Sequence, residues 1–445
     1  MKKLIFISTL LLLAVTLSAQ VSDDDFFGGF EDDLFGREDM IIENPVSESA
    51  SKSESDLSHG VLFQTGAVKI GGSFDLGLTT LTTFGNGSSF SDSLTGTQLI
   101  PSANAELTID SRPSENLRFY AKGGINYPYV TKSNSMLMGL PGQSGTLVSS
   151  DDSIRNLFYV KELFSDFHFG DNVAMRFGKQ TVTWGVGYFF SPADVINLSA
   201  IDPEDPTAQV EGPLCLRTQI VFPGTQNALW AYIIPDNSFT FNQEGLGINA
   251  RDTALAAKAD IVIGSYELGF GGWYKYNHAP RAMFTFTGSL LGKVSIFGES
   301  VVAFGQDNQW KNNLDKEIFF QETLGLMYYW KTPKITMAAQ YYYNGNTEDK
   351  FHFVQNSGVL SEITKHGSNV AGMVNFEKVF VNSLSASIYG ISYLEGEMMV
   401  ASAMLKYSPF KEFSVSAGPY IMWNDFGKDP FVSAKIDLRL GAGKF

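Results

Sequence analysis

Arg176 opens the run Arg176-Phe177-Gly178-Lys179-Gln180-Thr181-Val182-Thr183-Trp184-Gly185, and a stretch rich in acids and prolines follows it. That stretch holds Asp194, Asp202, Glu204, Asp205 and Glu211, with Asp-Pro pairs at 202–203 and 205–206. Four bases, Arg118, Lys122, Arg176 and Arg217, fall on the polar parity of nearby segments that read as strands. Acids on a loop facing bases on a wall set up a transverse field across the gap. Such a field orders polar solutes and filters ions, and it needs no bond to be broken. A competing reading leaves the loop outside and uses the Asp-Pro pairs only as turns.

Other chemistries have thinner support. The same acids could offer oxygens to Ca²⁺, but their spacing matches no EF-hand loop. The chain has five histidines. His168 shares a strand face with Asp166, which suggests a hydrogen-bonded pair, and no activated serine accompanies it. Cys215 is the single cysteine, so no internal disulfide forms. No cofactor or metal site is expected, and the chain is not expected to be an enzyme.

The elements that would position these charges follow a period of two. In 117–127, Leu117, Phe119, Ala121, Ile125 and Tyr127 alternate with Arg118, Tyr120, Lys122 and Asn126. In 103–110, Ala103, Ala105, Leu107 and Ile109 alternate with Asn104, Glu106, Thr108 and Asp110. One face is apolar and the other carries charge, so the charged face must be wet. The same parity turns Lys69, Ser73, Asp75, Lys258 and Asp260 inward. Tight connections at 112–116, 170–172, 223–227, 264–265, 292–293, 332–334, 378–382 and 408–411 alternate with longer segments. The longer ones lie near 83–98, 129–155, 183–211, 236–250, 304–316 and 345–365. No later segment offers about 18 unbroken apolar residues for a membrane helix. A chain that crosses a bilayer without helices must close its backbone hydrogen bonds between strands. The expected fold is therefore all-β, a transmembrane antiparallel barrel of about eighteen strands, with sixteen as the lower count. Short turns would face the periplasm and long loops the exterior. Barrels of this size usually enclose water. Clusters at Trp273 and Tyr274, Tyr328 to Trp330 and Tyr341 to Tyr343 are expected to form interfacial girdles.

The run from Arg176 to Gly185, with the loop after it and the returning strand at Arg217 and Gln219, resembles porin-superfamily outer-membrane proteins. In that family a strand with a Gly-Lys/Arg-Gln…Trp-Gly run feeds a long loop. The resemblance covers about forty-five residues. It implies a loop, here 183–211, that folds inward and narrows the lumen.

Both ends agree with that address. Lys2 and Lys3 precede an apolar stretch from Leu4 to about Leu17, and Leu17-Ser18-Ala19 offers a cleavage site. Residues 1–19 read as a signal peptide for export to the outer membrane of a diderm bacterium. Residues 20–58 read as an acidic, disordered periplasmic linker. Within it, residues 21–58 carry twelve acids against Arg37 and Lys52, which accounts for most of the chain's net charge of −15. Phe26, Phe27, Phe30 and Phe35 in this linker could dock on a periplasmic partner; the alternative is a plain spacer. No basic stripe suggests nucleic acid. Residues 59–445 read as the barrel. Its last strand alternates Ala434, Ile436, Leu438 and Leu440 with Lys435, Asp437 and Arg439 and ends on Phe445. Leu438, Leu440 and Phe445 resemble the C-terminal signal read by the barrel assembly machinery. Strict alternation would turn Phe445 inward unless Gly441 or Gly443 permits a bulge.

These readings converge on a channel for passive diffusion of small hydrophilic solutes. The alternatives are a closed structural or adhesive barrel and a fatty-acid type channel for hydrophobic substrates.

Overall fold

The computed structural model describes residues 61–65, 67–84, 97–127, 158–198, 212–235, 250–290, 292–354, 360–410, 412–427 and 430–444. Strands begin with β1 (Val61–Thr65), β2 (Val68–Phe84), β3 (Gln98–Ser114), β4 (Leu117–Tyr127) and β5 (Phe158–Phe169). They continue with β6 (Val173–Lys179), β7 (Leu214–Val221), β8 (Ala228–Ile234), β9 (Ala254–Ile263) and β10 (Tyr266–Tyr274). Next come β11 (Arg281–Leu290), β12 (Val294–Phe304), β13 (Ile318–Trp330), β14 (Ile335–Asn344), β15 (Lys350–Val354) and β16 (Leu360–Thr364). The last are β17 (Gly367–Phe376), β18 (Leu384–Tyr393), β19 (Met398–Phe410), β20 (Phe413–Trp423) and β21 (Phe431–Lys444). A one-turn helix, α1 (Asp307–Lys311), follows β12.

Eighteen of these strands, β2 to β14 and β17 to β21, pair antiparallel with their sequence neighbours. The ring closes where β21 pairs with β2, from Val432 opposite Phe84 to Lys444 opposite Ser73. The strand number read from the sequence is correct. Closure leaves no free edge along the wall, which is what a bilayer demands of a sheet. Below the closing strand, β2 extends further, and β1 covers that stretch with Val61 opposite Gly71. β15 and β16 form a separate hairpin between β14 and β17.

Alternation sorts the faces. On β13, Phe320, Leu324 and Leu326 are exposed on the outside, while Gln321, Thr323 and Met327 are buried inside. On β14, Tyr341 and Tyr343 point out and Gln340, Tyr342 and Asn344 point in. The expected girdles are therefore split. Tyr274, Tyr341 and Tyr343 lie on the outer face, but Tyr329 and Tyr342 are buried inside, because adjacent residues of a strand cannot share a face.

The closing strand contains a register shift. Arg439 pairs with Gly77, yet Gly441 pairs with Leu76, so one residue is extra between them. From there Gly441 and Gly443 stand opposite Leu76 and Phe74, both exposed on the outer face. The bulge resets the parity of the terminus. Phe445 itself lies outside the described residues.

Candidate functional site

After β6 the chain turns into the barrel. Near the end of β6, Gly178 pairs with Phe164 and Cys215 and has φ 140°, a region glycine alone occupies freely. A Cβ there would stand 2.1 Å from the Leu163 carbonyl oxygen. Gln180 then fastens the departing segment to the returning one. Its backbone N–H donates to Pro213 O at 3.1 Å, and its Nε2 donates to Cys215 O at 3.2 Å. Further in, Asn197 ties the segment to itself. Val182 N donates to Asn197 Oδ1 at 3.0 Å, and Asn197 Nδ2 donates to Asp194 Oδ2 at 2.8 Å.

Trp184 anchors the segment. It is 1% exposed, packs edge-on to Tyr232 with ring centroids 5.0 Å apart, and points its indole N–H at Met283 Sδ. Val182, Trp184, Ala193 and Ile196 join inward residues of β7, β8, β9, β11 and β12 in one apolar cluster. A core inside the ring forms because this segment brings its own apolar side chains to the inner wall. Burying each large side chain contributes about 1.5–3 kcal/mol.

Beyond Trp184 the segment reaches the far wall. Glu299 of β12 accepts hydrogen bonds from Val186 N (2.6 Å), Gly187 N (2.6 Å), Ser191 Oγ (2.9 Å) and Ala193 N (2.8 Å). Gln340 of β14 accepts from Phe189 N at 2.7 Å and donates to Phe190 O at 2.6 Å. Phe190 stacks on Tyr342 at 5.2 Å and meets Tyr393 edge-on at 6.3 Å. Tyr188 OH lies 3.5 Å from Met373 Sδ of β17. Counting round the ring from β6, β14 is the eighth strand and β17 the ninth of eighteen. The segment thus runs across the barrel to the opposite wall.

The wall is charged. Arg118 pairs with Asp110 through Nε at 2.9 Å and Nη2 at 3.0 Å, and its Nη1 lies 3.6 Å from Asp166. Asp166 in turn takes Arg176 Nε at 2.6 Å and Nη2 at 3.1 Å. Glu106 holds Lys122 at 3.5 Å, Lys161 at 3.4 Å and the Tyr159 hydroxyl at 2.8 Å. On the closing strands, Arg439 pairs with Asp75, and Lys435 lies 3.4 Å from Asp437.

Burial divides these charges. Arg176, Arg217 and Glu299 are buried. The side chains of Arg118, Lys122 and Arg439 keep 26%, 22% and 47% of their exposure. The hydrogen bonds and ring contacts of residues 182–197 with the wall include ones to β8, β11, β12, β14, β17 and β18, and the apolar cluster adds β7 and β9.

The residues expected to form the constriction are distributed as follows. Asp194 lies on the inward segment, held by Asn197. Partial burial pushes its carboxyl up to about 6; the Asn197 hydrogen bonds pull it down, and the charge of Glu299 adds to the rise. Arg118, Lys122 and Arg176 point inward and bond acids of their own wall. Arg217 is buried with its guanidinium over the Trp230 ring at 4.6 Å, and no carboxylate pairs with it among the described residues. Asp202, Glu204, Asp205 and Glu211 lie outside the described residues. The expected Asp166–His168 pair is not formed: both carboxylate oxygens of Asp166 bond arginines. The described residues contain no cluster of three or more metal-ligating side chains.

Sequence reasoning missed Glu299 and Gln340. A signal was present for Glu299. It is an acid on the inward parity of an otherwise apolar strand, between Phe297 and Val301. Nothing in the local sequence says that its partners lie more than a hundred residues earlier.

No protein-family model matches the chain, and no curated protein matches it. Solved structures do. The chain is similar to Pseudomonas aeruginosa OccK9 (OpdG) at 9% identity and a TM-score of 0.50, covering 85% of this chain and 98% of that one. It is similar to Pseudomonas aeruginosa OccK3 (OpdO) at 11% identity and a TM-score of 0.50, covering 84% and 95%. At such identities the likeness is one of fold alone.

Proposed function

We propose that this barrel is an outer-membrane channel through which small hydrophilic solutes diffuse passively, narrowed by the loop of 183–211. One observation carries the reading. The described part of the segment, residues 182–197, packs from β7 round to β14 and β17, while Arg118, Lys122 and Arg439 on the other part of the inner wall keep part of their exposure. A solute path would then run off-centre, past Arg118, Lys122, Glu106, Asp75 and Arg439. A wet wall of paired acids and bases suits polar solutes, and it argues against a hydrophobic substrate. The likeness in fold to OccK9 and OccK3 agrees with this use.

A closed structural or adhesive barrel retains one support, the buried apolar cluster beneath the segment. Reconstitution in a planar bilayer separates the two. Steady single-channel steps support the channel. A correctly inserted barrel that passes no ions would overturn it in favour of the closed one.

Two further roles belong to the same reading. The C-terminal strand, with Leu438, Leu440 and Phe445, would be recognised by the barrel assembly machinery. The acidic segment bearing Phe26, Phe27, Phe30 and Phe35 would meet a periplasmic partner.

A further inference from the structure

We infer that Glu299 is the positioning residue that holds the inward segment against the wall and so keeps the solute path open. This rests on the channel reading, but its geometry stands alone. An ionised carboxylate is acceptor-only and offers about four lone-pair directions. Glu299 spends them on four donors of one short stretch: Val186 N, Gly187 N and Ser191 Oγ at Oε1, and Ala193 N at Oε2. Residues 186–193 thus fold around a single side chain of the wall.

Glu299 differs from the other inward acids. Asp110, Asp166, Glu106 and Asp260 each face an arginine or lysine of the wall. Glu299, 3% exposed, has no such cation among the described residues. A buried carboxylate without a cation is costly unless its hydrogen bonds are complete, and here the segment supplies them. Charge-assisted bonds to backbone N–H groups are about twice as strong as neutral ones. The dependence is mutual: the wall needs the segment in place, and the segment needs the carboxylate.

Gly185 makes the approach possible. A Cβ on this residue would lie 2.0 Å from Ser191 Oγ and 2.6 Å from Glu299 Oε1. Gln340 adds a second hold two strands further round, so the segment is fixed at Trp184, at Glu299 and at Gln340 in turn. Loss of the middle hold frees 186–193 to move off its wall and into the lumen.

The test is Glu299→Gln, which keeps the shape and replaces acceptor by donor at one position. Glu322→Gln is the control, the same chemical change on the outer face of the adjacent strand β13. Hydrogen–deuterium exchange of a peptide spanning 184–194 should speed up in the first and stay at the wild-type rate in the second. In the bilayer, Glu299→Gln should add current noise and brief closures that wild type lacks. Unchanged exchange in a correctly assembled Glu299→Gln barrel would overturn the assignment. So would faster exchange with a wild-type current trace, since the carboxylate would then hold the segment without governing the path. If wild type passes no ions, the channel reading falls, while the exchange result still decides whether Glu299 holds the segment. Should Glu299→Gln fail to assemble, Ser191→Ala removes one donor and should give a smaller acceleration; none would sink the idea.

Discussion

Arg176 and Arg217 stand directly opposite each other on β6 and β7, two guanidiniums side by side on the inner wall. Like charges in this position repel. Each is relieved differently. Arg176 forms a two-pronged pair with Asp166 and lies over the Phe164 ring at 3.9 Å. Arg217 has only the Trp230 face, and its Nε and Nη1 find no acceptor among the described residues.

This contrast predicts opposite outcomes for the same substitution. Arg176→Met takes the two-pronged partner from buried Asp166 and leaves it only the more distant Arg118, so it should be destabilising, by up to about 3–5 kcal/mol. Arg217→Met removes a buried cation that has no carboxylate partner among the described residues, and should be neutral or stabilising. Thermal melts of the two variants in detergent check the difference. Equal losses would refute it.

Trp184→Ala should cost about 3–5 kcal/mol, because a fully buried indole leaves a cavity that the rigid inner wall cannot close. Barrel closure itself does not depend on this ring. Heat-modifiable migration on gels should therefore survive while exchange in 182–196 accelerates.

Gly185→Ala should mimic the loss of Glu299, since its methyl group would occupy the space between that carboxylate and Ser191. Gly272→Ala is the comparison: an added Cβ there meets its nearest atom at 3.5 Å, an ordinary contact. Exchange of the 184–194 peptide should rise in the first variant and not in the second.

Asp194 predicts a pH dependence. Its carboxyl is raised from the ordinary range to about 6, so its contribution to holding the segment is complete below about pH 3.8 and is lost as pH rises through about 6. Its partial exposure keeps the effect modest. Asp194→Asn is neutral throughout. Wild type should thus gain on the variant as pH falls from 7 to 4, read as a narrowing difference in exchange or melting temperature. A constant difference would contradict the assignment.

Asp202, Glu204 and Asp205 carry the remaining expectation about selectivity. Converting all three to Asn or Gln should move the reversal potential in a salt gradient toward anions. An unmoved reversal potential would remove them from the solute path.

Much of the wall was legible because it is a local code. Alternation within 103–110 and 117–127 assigned Glu106, Asp110, Arg118 and Lys122 to the inside, and turn residues marked the rhythm of strands. The aromatic clusters misled for the same local reason: Tyr341, Tyr342 and Tyr343 are neighbours in sequence and alternate between faces. The Asp166–His168 pairing failed because two arginines from adjacent strands, Arg118 and Arg176, take the one carboxylate. What the inward segment touches was beyond reach. Its partners at Met283, Glu299 and Gln340 depend on how far round the ring each strand stands, and that follows only from the complete order of pairing.

The crossing segment has a mechanical consequence. A ring of strands is stiff along its hydrogen bonds yet free to flatten into an oval, since flattening bends the sheet without breaking a rung. A segment tied at Gln180 to β7 and at Gln340 to β14, seven strands further round, resists that deformation along its own axis. Lateral pressure from the bilayer would then be borne unequally, with the braced diameter held and the perpendicular one left to yield.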